Sequence, residues 1–355
     1  MEGLYIDQWM QDARLIERKK EEHQTYPQNW PAYNEAQKRE KLLFLDILRE
    51  LSSFVPIEKR SGAGRPRAPL PEMVFSCVLK VYELLSSRRV NSDLDIARRM
   101  GYLSRTPHYN TVLKYFNDPK LVPILTNLVQ LSALPLRNFE DTFAVDASGL
   151  SSAFYSRWLD YRFNGDKRIH KWLKVHLICG TGSHIVTHVV ITDGLKADSP
   201  RFPELVKETA KFFEIKEICA DKAYSSRENL QTVWDLGGIP YIPFKSGSTG
   251  KSRGSQAWRK MYLWFQLHRE KFMNRYHQRS NAESTFSMLK RKFENNLMLR
   301  KEVGQINEAL AKVLCHNICV LIQEVHESGL KLDLPESAHK LASLHINSEK
   351  ISQKV

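Results

Sequence analysis

Apolar residues recur at helical spacing through the first part of the chain. The segment QKREKLLFLDILREL, residues 37–51, places its Leu, Phe and Ile side chains on one helical face, and PEMVFSCVLKVYELLSS, residues 71–87, predicts a more apolar helix. Between them lies SGAGRPRAPLP, residues 61–71, whose Gly and Pro residues indicate a boundary. We therefore expect the first third of the chain to be helical and divided near residue 62.

Two shorter helices are predicted next, around a glycine turn. Asn91 or Ser92 can cap a helix that starts acidic, ends basic and stops at Gly101. Thr106 followed by proline has the form of a second helix start. This arrangement is typical of helix-turn-helix DNA binding or, equally, of an ordinary helical hairpin. The second helix would expose four candidate DNA-binding residues: His108, Tyr109, Asn110 and Lys114.

The pattern changes to strands from about residue 139. TFAVDAS, KWLKVHLICG and HIVTHVVITDG are short and rich in β-formers, and TGS between the last two indicates a hairpin. A capped amphipathic helix, the strand IKEICADKAY, another helix and the strand IPYIPF follow. Three strands, a helix, a strand, a helix, a strand and closing helices predict an α/β domain with a mixed sheet. Their order resembles the ribonuclease H-like fold, preceded here by an all-α DNA-binding region.

Charge is concentrated late in the chain. The sequence has 53 Lys and Arg residues against 40 Asp and Glu residues. Residues 245–301 alone hold 14 Lys and Arg residues and three acids. An excess of this size favours a polyanionic partner such as double-stranded DNA.

Cysteine and hydropathy patterns bear on the compartment. Five scattered cysteines form no disulfide framework, and no apolar run approaches the roughly 18 residues of a membrane span. Cys315, His316 and Cys319 lie within an apolar helical pattern, so we interpret them as packed side chains and not as a zinc site. These observations predict an intracellular, cytoplasmic protein with no membrane partner.

One late helix presents a single carboxylate among cations. At about 100° per residue, Tyr276, Arg279, Glu283 and Lys290 share one face within roughly 60°. An adjacent apolar stripe can pack on the sheet, and it consists of Ala282, Phe286, Leu289 and Phe293. The helix is therefore expected to present Glu283 to a cleft.

This helix carries a resemblance to a known family. YHQRSNAESTFSMLK, residues 276–290, resembles in residue type and spacing the Tyr-Arg-Glu-Lys signature of bacterial and archaeal insertion-sequence transposases of the DDE type. The likeness covers about residues 60–325 and includes GRPR, FAVDASGL, KWLKVHL, ICADKAY and INEALAKVLCHNICVLI. The resemblance implies that Asp146, Asp221 and Glu283 are the catalytic acids and the metal ligands.

The chemistry of such enzymes gives these acids a role. Carboxylate oxygens suit two hard divalent cations about 3.5–4 Å apart, with Mg²⁺ as the expected ion and Mn²⁺ as a substitute. By the resemblance Asp146 bridges the two ions. Asp193 and Asp198 compete with Asp221 for the second position, but their Gly- and Pro-containing segment predicts a surface loop. Asp221 follows an apolar strand that should lie beside the first.

Several cations and aromatic residues are candidates for contacts with DNA. Three cations can offset the repulsion between DNA phosphates and the carboxylates and can bind the phosphates: Arg279, Lys290 and Arg291. Tyr276 can orient a phosphate through its hydroxyl. Arg65 and Arg67 of GRPR form either a minor-groove arm or a basic linker. Candidates with a weaker basis are Lys174 and His176, at the edge of the cleft, and Trp258 and Trp264, which either stack on a base or pack in the core.

The resemblance implies a transposase that binds terminal inverted repeats and target DNA. It would cut at the element ends, join the 3′-hydroxyls to a target, act as a homodimer and associate with a prokaryotic nucleoid. A non-catalytic regulator and a ribonuclease H-like nuclease are the alternatives. The 62 positions between Asp221 and Glu283 are interpreted as one helix, one strand and a basic linker, which is too short for a large all-β insertion. Hairpin chemistry on the second strand therefore stays open. We expect four regions: a helical region 1–62, a helix-turn-helix-like region 63–138, a catalytic domain 139–330 and a tail 331–355.

Overall fold

The N-terminal part of the protein is helical. The computed structural model describes residues 29–57, 67–152 and 172–334. Helix α1 carries a buried stripe that includes Phe44, Leu48 and Leu51, which confirms the amphipathic pattern of residues 37–51. The helices of this part are α1 (Trp30–Ser53), α2 (Leu70–Tyr82), α3 (Asn91–Arg99), α4 (Tyr109–Phe116) and α5 (Leu121–Ala133).

The two predicted short helices exist, but their first residues differ from the prediction. Helix α3 follows Val90 and has no side-chain cap. Helix α4 begins at Tyr109, and the imidazole of His108 accepts a hydrogen bond from the Asn110 amide at its start. Thr106 instead donates to Asp95 and so ties the connecting turn to α3. Gly101 ends α3 with a φ of 86°, as the glycine signal predicted.

A mixed five-stranded sheet forms the second part. Its strands are β1 (Thr142–Ser151), β2 (Trp172–Gly180), β3 (Val186–Asp193), β4 (Glu217–Ala220) and β5 (Ile239–Tyr241), in the order β3-β2-β1-β4-β5. Strands β1 to β3 form an antiparallel meander, whereas β4 and β5 run parallel to β1. This order and the flanking helices give the ribonuclease H-like fold, and they confirm the fold class predicted from the strand pattern.

Helices cover the sheet and complete the domain. They are α6 (Phe202–Ala210), α7 (Arg227–Asp235), α8 (Gln256–Leu267), α9 (Arg269–Tyr276), α10 (Ser280–Phe293) and α11 (Glu302–Glu327). Helices α8 and α9 occupy what sequence reasoning treated as a basic linker, so that interpretation was wrong. Ser255 caps α8 by accepting from the Trp258 amide, and Trp258, Phe265 and Phe272 are buried. Because cations are frequent in this segment, its apolar residues did not stand out as a helical pattern in the sequence.

The last helix joins the two parts of the molecule. Helix α11 packs against α1, α2 and α5 of the N-terminal part and against β3 and α10 of the second part. Cys315 is fully buried, and the imidazole Nε2 of His316 lies 2.9 Å from the carbonyl oxygen of His184, so both side chains are part of the packing, as predicted. Cys319 is half-buried. One continuous hydrophobic core therefore runs from α1 to α11.

No helix in the described part of the chain combines the length and the apolar character needed to cross a membrane.

Candidate active site

Two of the three predicted acids lie on neighbouring parallel strands. The β1–β4 ladder ends with Val145 opposite Ala220, and Asp146 and Asp221 are the next residues on each strand. Asp221 comes directly after β4, where its carboxylate accepts from the Lys222 amide at 2.6 Å. Strand pairing therefore places Asp146 and Asp221 side by side at the end of the β1–β4 ladder.

The third predicted acid, Glu283, lies on α10, which packs on β1 and β2. The guanidinium of Arg279 lies between Glu283 and Asp146: its Nη2 donates to Glu283 Oε1 at 2.6 Å, and its Nη1 is 3.8 Å from Asp146 Oδ2. The Asp146 side chain is 23% exposed and that of Glu283 is 56% exposed. Asp146 and Glu283 are thus joined through a cation of the protein at a partly exposed position beside Asp221, and we call this position the cleft.

Charge and burial oppose each other at Asp146. Burial raises the pKa of Asp146 above its ordinary value, the Ala147 amide and the Arg279 guanidinium lower it, and the carboxylates of Glu283 and Asp221 raise it further. The net shift is upward. Three carboxylates close enough to influence one another at a partly buried position provide a site that a divalent cation would stabilise.

The residues present fit divalent cations in ligand chemistry. Hard cations such as Mg²⁺ take oxygen ligands, and the three acids supply only carboxylate oxygens. Within residues 29–57, 67–152 and 172–334, no three His, Cys, Asp or Glu side chains are close enough to hold one ion as they stand. Arg279 bridges Asp146 and Glu283 instead, so the carboxylates would need to exchange this guanidinium for a metal.

The structure accounts for the two competing aspartates. Asp193 is exposed at the end of β3 and accepts from the Leu195 amide at 3.0 Å. Asp198 pairs with Lys174 at 2.7 Å and lies 3.5 Å from the buried imidazole of His176. Lys174 and His176, placed by sequence reasoning at the edge of the cleft, project from β2 on the side opposite to Asp146, since His176 is paired with Ala147 in the β1–β2 register.

The candidate phosphate-binding residues of α9 and α10 differ in their surroundings. Lys290 donates to the hydroxyl of Ser148 at 2.6 Å, and Ser148 is on the same face of β1 as Asp146. Burial lowers the pKa of Lys290. The ring centroid of Tyr276 lies 5.9 Å from the guanidinium carbon of Arg279. Arg291 is exposed.

The predicted continuous helical face is interrupted. Tyr276 ends α9, residues His277–Arg279 form a 3-10 turn, and α10 begins at Ser280. The turn changes the angle between Tyr276 and Glu283, and the prediction of one regular helix was therefore wrong. The adjacent apolar stripe is confirmed, since all four of its members are buried: Ala282, Phe286, Leu289 and Phe293.

Tyr224 is a residue of the site that sequence reasoning missed. Its ring is 2% exposed, and its hydroxyl has no hydrogen-bond partner among the described residues. Burial raises the pKa of Tyr224, and the charges of Asp146, Asp198 and Asp221 add to that shift. Its position three residues after Asp221 in ICADKAY was the available signal. Ser148, two residues after Asp146, was missed in the same way.

The other candidate DNA-binding residues lie in different places. His108, Asn110 and Lys114 are exposed on α4, and Tyr109 is half-buried beneath Arg88 at 5.5 Å. Arg67 is exposed, whereas Arg65 lies outside the described residues.

The two tryptophans also differ. Trp258 is 5% exposed and donates from Nε1 to the Thr249 carbonyl at 2.8 Å, so it packs in the core. Trp264 is 38% exposed.

Comparison with known families decides what this site belongs to. The sequence profile of the family described as transposase DDE domain matches residues 137–318, just over half of the chain. The chain belongs to this family. It is therefore a transposase, an enzyme that cleaves DNA, transfers strands and uses divalent metal ions.

A solved structure of another transposase also aligns with this one. It is the cryo-EM structure of a piggyBac transposase synaptic complex with hairpin DNA, at 9% identity and a TM-score of 0.37. The alignment covers 86% of this chain and 76% of that chain. At this level of similarity it carries no weight for individual residues of the transposase.

Proposed function

We propose that this transposase moves an insertion sequence by cutting at its terminal inverted repeats and joining the released 3′-hydroxyls to target DNA. The observation that carries the proposal is the adjacency of Asp146 and Asp221 at the end of the β1–β4 ladder, with Glu283 facing them from α10. Hydrolysis and transesterification of phosphodiester bonds with divalent cations require oxygen ligands that converge at one point. The three acids supply them.

Asp146, Asp221 and Glu283 would hold the metal ions, with Asp146 shared as the family resemblance implies; the charges of both other carboxylates act on it. Two Mg²⁺ ions, replaceable by Mn²⁺, would activate the attacking oxygen and stabilise the leaving oxygen. Arg279 would release Asp146 and Glu283 on metal binding and turn its guanidinium toward a phosphate. Its fork of donors suits that role.

Two further signature residues, Lys290 and Tyr276, and the neighbouring Arg291 would position the DNA backbone. Lys290 already donates to Ser148 beside Asp146, so its ammonium is held at the cleft. Arg291, one residue further along α10, is exposed to a ligand arriving from solvent. Tyr276 carries a hydroxyl near Arg279 and can donate it to a phosphate oxygen. These contacts would offset the repulsion between carboxylates and DNA.

Recognition of the element ends would fall to the helical region, residues 63–138. Helices α3 and α4 meet at a glycine turn, and α4 exposes His108, Asn110 and Lys114 beside Tyr109. Such a helix can enter the major groove while neighbouring cations contact phosphates. Arg67, with Arg65, would extend this contact into the minor groove. The other regions would be an N-terminal helical region, residues 1–62, the catalytic domain, residues 139–330, and a tail, residues 331–355.

Pairing of two element ends requires at least two active sites, so the functional unit would be a homodimer on DNA. A basic protein of this kind would be found with the nucleoid of a prokaryotic cell. The formal net charge of +13 supports association with DNA in general.

The first test is cleavage and joining of a labelled duplex that carries the DNA flanking the gene. We expect Mg²⁺-dependent release of 3′ ends and joined products for the wild type. Glu283→Gln keeps the size of the side chain and removes its charge, so we expect both activities to fall at least about 100-fold with DNA binding retained. Glu214→Gln, at an exposed position, is the matched control and should leave both activities unchanged.

The outcomes separate the rival functions. Tight binding by the wild type without cutting would support a regulator derived from a transposase. Cutting without any joined product would support a nuclease. Loss of DNA binding in Glu283→Gln together with loss of cutting would show that Glu283 is structural.

A further inference from the structure

A basic surface lies outside the carboxylate site, and none of its residues belongs to the Tyr-Arg-Glu-Lys signature. The loop between β5 and α8 forms an open basin of about 510 Å³. We call it the basic basin, and it is lined by Gly250, Lys251, Ser252, Arg253 and Arg259. Three of these five residues are cations, and no acid is among them. Lys251, Arg253 and Arg259 are exposed.

The backbone of this loop is held firmly from inside. Arg227, the first residue of α7, donates to the carbonyls of Lys251 and Ser252 at 3.0 and 3.2 Å. Its guanidinium also stacks on the ring of Trp258 at 4.5 Å, and Trp258 donates to the Thr249 carbonyl at 2.8 Å. These bonds turn the carbonyls of the loop toward the protein. The cationic side chains are left without an internal partner in the described structure, facing solvent.

Arg253 occupies an unusual backbone conformation within this loop. Its φ is 44°, in the left-handed region that glycine adopts most easily, and Gly254 follows at 92°. The turn is closed by the Ser255 amide, which donates to the Ser252 carbonyl at 3.0 Å. Holding a side chain in this region costs of order 1 kcal/mol, and such positions cluster at functional sites. Glycine would suit the turn better, so the backbone conformation of this turn does not require arginine at position 253.

The topology places the basic basin at the same end of the sheet as the acids, where the parallel strands β4 and β5 finish. Strands β4 and β5 are parallel neighbours, so their carboxyl ends face one way. Asp221 follows β4, and the loop that leads to the basin follows β5. Arg227, which bonds the carbonyls of the loop, is six residues after Asp221, so the chain between them spans at most about 22 Å and the basin lies on the order of 10–20 Å from the acids. A duplex of that length carries about three to six phosphates per strand.

We propose that Lys251, Arg253 and Arg259 bind backbone phosphates of the duplex about three to six nucleotides from the phosphate undergoing reaction. The inference rests on the proposed function of the carboxylate site and extends it with a second contact to the same DNA. The contact is independent of base sequence, because it is made to phosphates alone. It fixes the direction in which the DNA leaves the cleft, past β5.

The test compares the wild type with a triple variant, Lys251→Gln, Arg253→Gln and Arg259→Gln, by measuring DNA affinity against salt concentration. Removal of one phosphate-binding cation should reduce the slope of log Kobs against log[salt] by about 0.9, and affinity at low salt should fall about tenfold or more in the triple variant. Lys207→Gln, at an exposed position of α6, is the control and should keep the wild-type slope. An unchanged slope in the triple variant would overturn the proposal.

A single variant separates the side chain from the fold. Arg253→Gly relieves the left-handed backbone while it removes the cation. We expect an unchanged or higher melting temperature together with weaker DNA binding. A lower melting temperature with unchanged DNA binding would show that Arg253 serves only the loop.

Shortened duplexes identify which phosphates the basin binds. If truncation on the flanking side of the scissile phosphate abolishes the difference between triple variant and wild type, the basin binds the flank. If truncation on the element side abolishes it, the basin binds the element. Failure of the wild type to cut any duplex would count against the proposed function alone, since the salt slopes are measured without cleavage.

Discussion

At the scale of single residues, neighbouring charges and burial decide how each ionisable group behaves. Asp146 and Asp198 are both half-buried aspartates, yet Asp198 is paired with Lys174, whereas Asp146 faces Glu283 and Asp221 with Arg279 as its cation. The same residue type therefore serves as a structural ion-pair partner in one place and as a candidate metal ligand in the other. Residue type alone does not distinguish them.

A pH dependence follows from a buried histidine outside the site. The Nδ1 of His188 on β3 lies 3.0 Å from the amide nitrogen of Gln130 on α5, which can only donate, so Nδ1 must accept and be unprotonated. Burial lowers the pKa of His188 to about 4. The unfolded chain takes up a proton near pH 6.5 and the folded chain does not. Stability is therefore lost as the pH falls from about 6.5 toward 4.

Urea unfolding at pH 7 and pH 5 checks this expectation. His188→Asn keeps a hydrogen-bond acceptor and removes the titrating group. We expect the variant to lose about 1–2 kcal/mol less stability than the wild type between the two pH values. Equal losses in the two proteins would show that His188 is protonated in the folded state.

At the scale of elements, the turn after α10 connects the helix that carries Glu283 to β1, the strand that carries Asp146. Asn295 and Leu297 bond the backbone of Ser151 at the end of β1, at 2.9 and 2.8 Å. From α11, Lys312 donates to the carbonyls of Glu294 and Asn296 at 3.0 and 2.6 Å. Glu308, also on α11, accepts from two amides of the same turn. Helix α11 thereby holds α10 in place against β1.

Replacing Lys312 should weaken the fold. Lys312 is 2% exposed, and Lys312→Met would leave two partly buried carbonyls without their donor and a turn without its link to α11. We expect a loss of about 2–4 kcal/mol in the free energy of unfolding, measured by urea denaturation. Lys207→Met, at an exposed position, should change it by less than about 0.5 kcal/mol. Equal effects of the two substitutions would contradict this account of the turn.

At the scale of the whole molecule, a polar network links the N-terminal helices to α10, the helix that carries Glu283. Glu40 of α1 accepts from the Tyr82 hydroxyl of α2 at 2.9 Å and pairs with Lys292 of α10. Glu40 is 9% exposed. With α11 packed between the two parts, this pair makes the helical region and the sheet a single packed body. A displacement of α1 and α2 would therefore also move α10, which carries Glu283.

A double-mutant cycle on Glu40→Gln and Lys292→Met measures this link. We expect one cooperative unfolding transition and a coupling energy of about 1–3 kcal/mol, because removal of either partner leaves the other charge poorly compensated. The exposed pair Glu208 and Lys211 is the control, with an expected coupling below about 1 kcal/mol. Additive effects at Glu40 and Lys292 would show that the two parts are not linked through this pair.

Much of the fold could be predicted from local patterns. Alternating and helical periodicities located the strands of the sheet and the amphipathic helices, because side-chain direction follows backbone geometry residue by residue. Helices α8 and α9 escaped this reasoning. Their apolar stripe is narrow, and the tertiary burial of Trp258, Phe265 and Phe272 stabilises them.

The sequence by itself determined the order of helices and strands along the chain. It also determined the residue types and the spacing of Tyr276, Arg279, Glu283 and Lys290, and together these were enough to indicate the family. Local chemistry and periodicity are properties of the chain and need no fold. Tertiary structure alone decided that Arg279 lies between Asp146 and Glu283, that Asp198 is held by Lys174, and that α11 supports both parts of the molecule. These contacts join residues far apart in sequence, and their distances depend on how the elements pack.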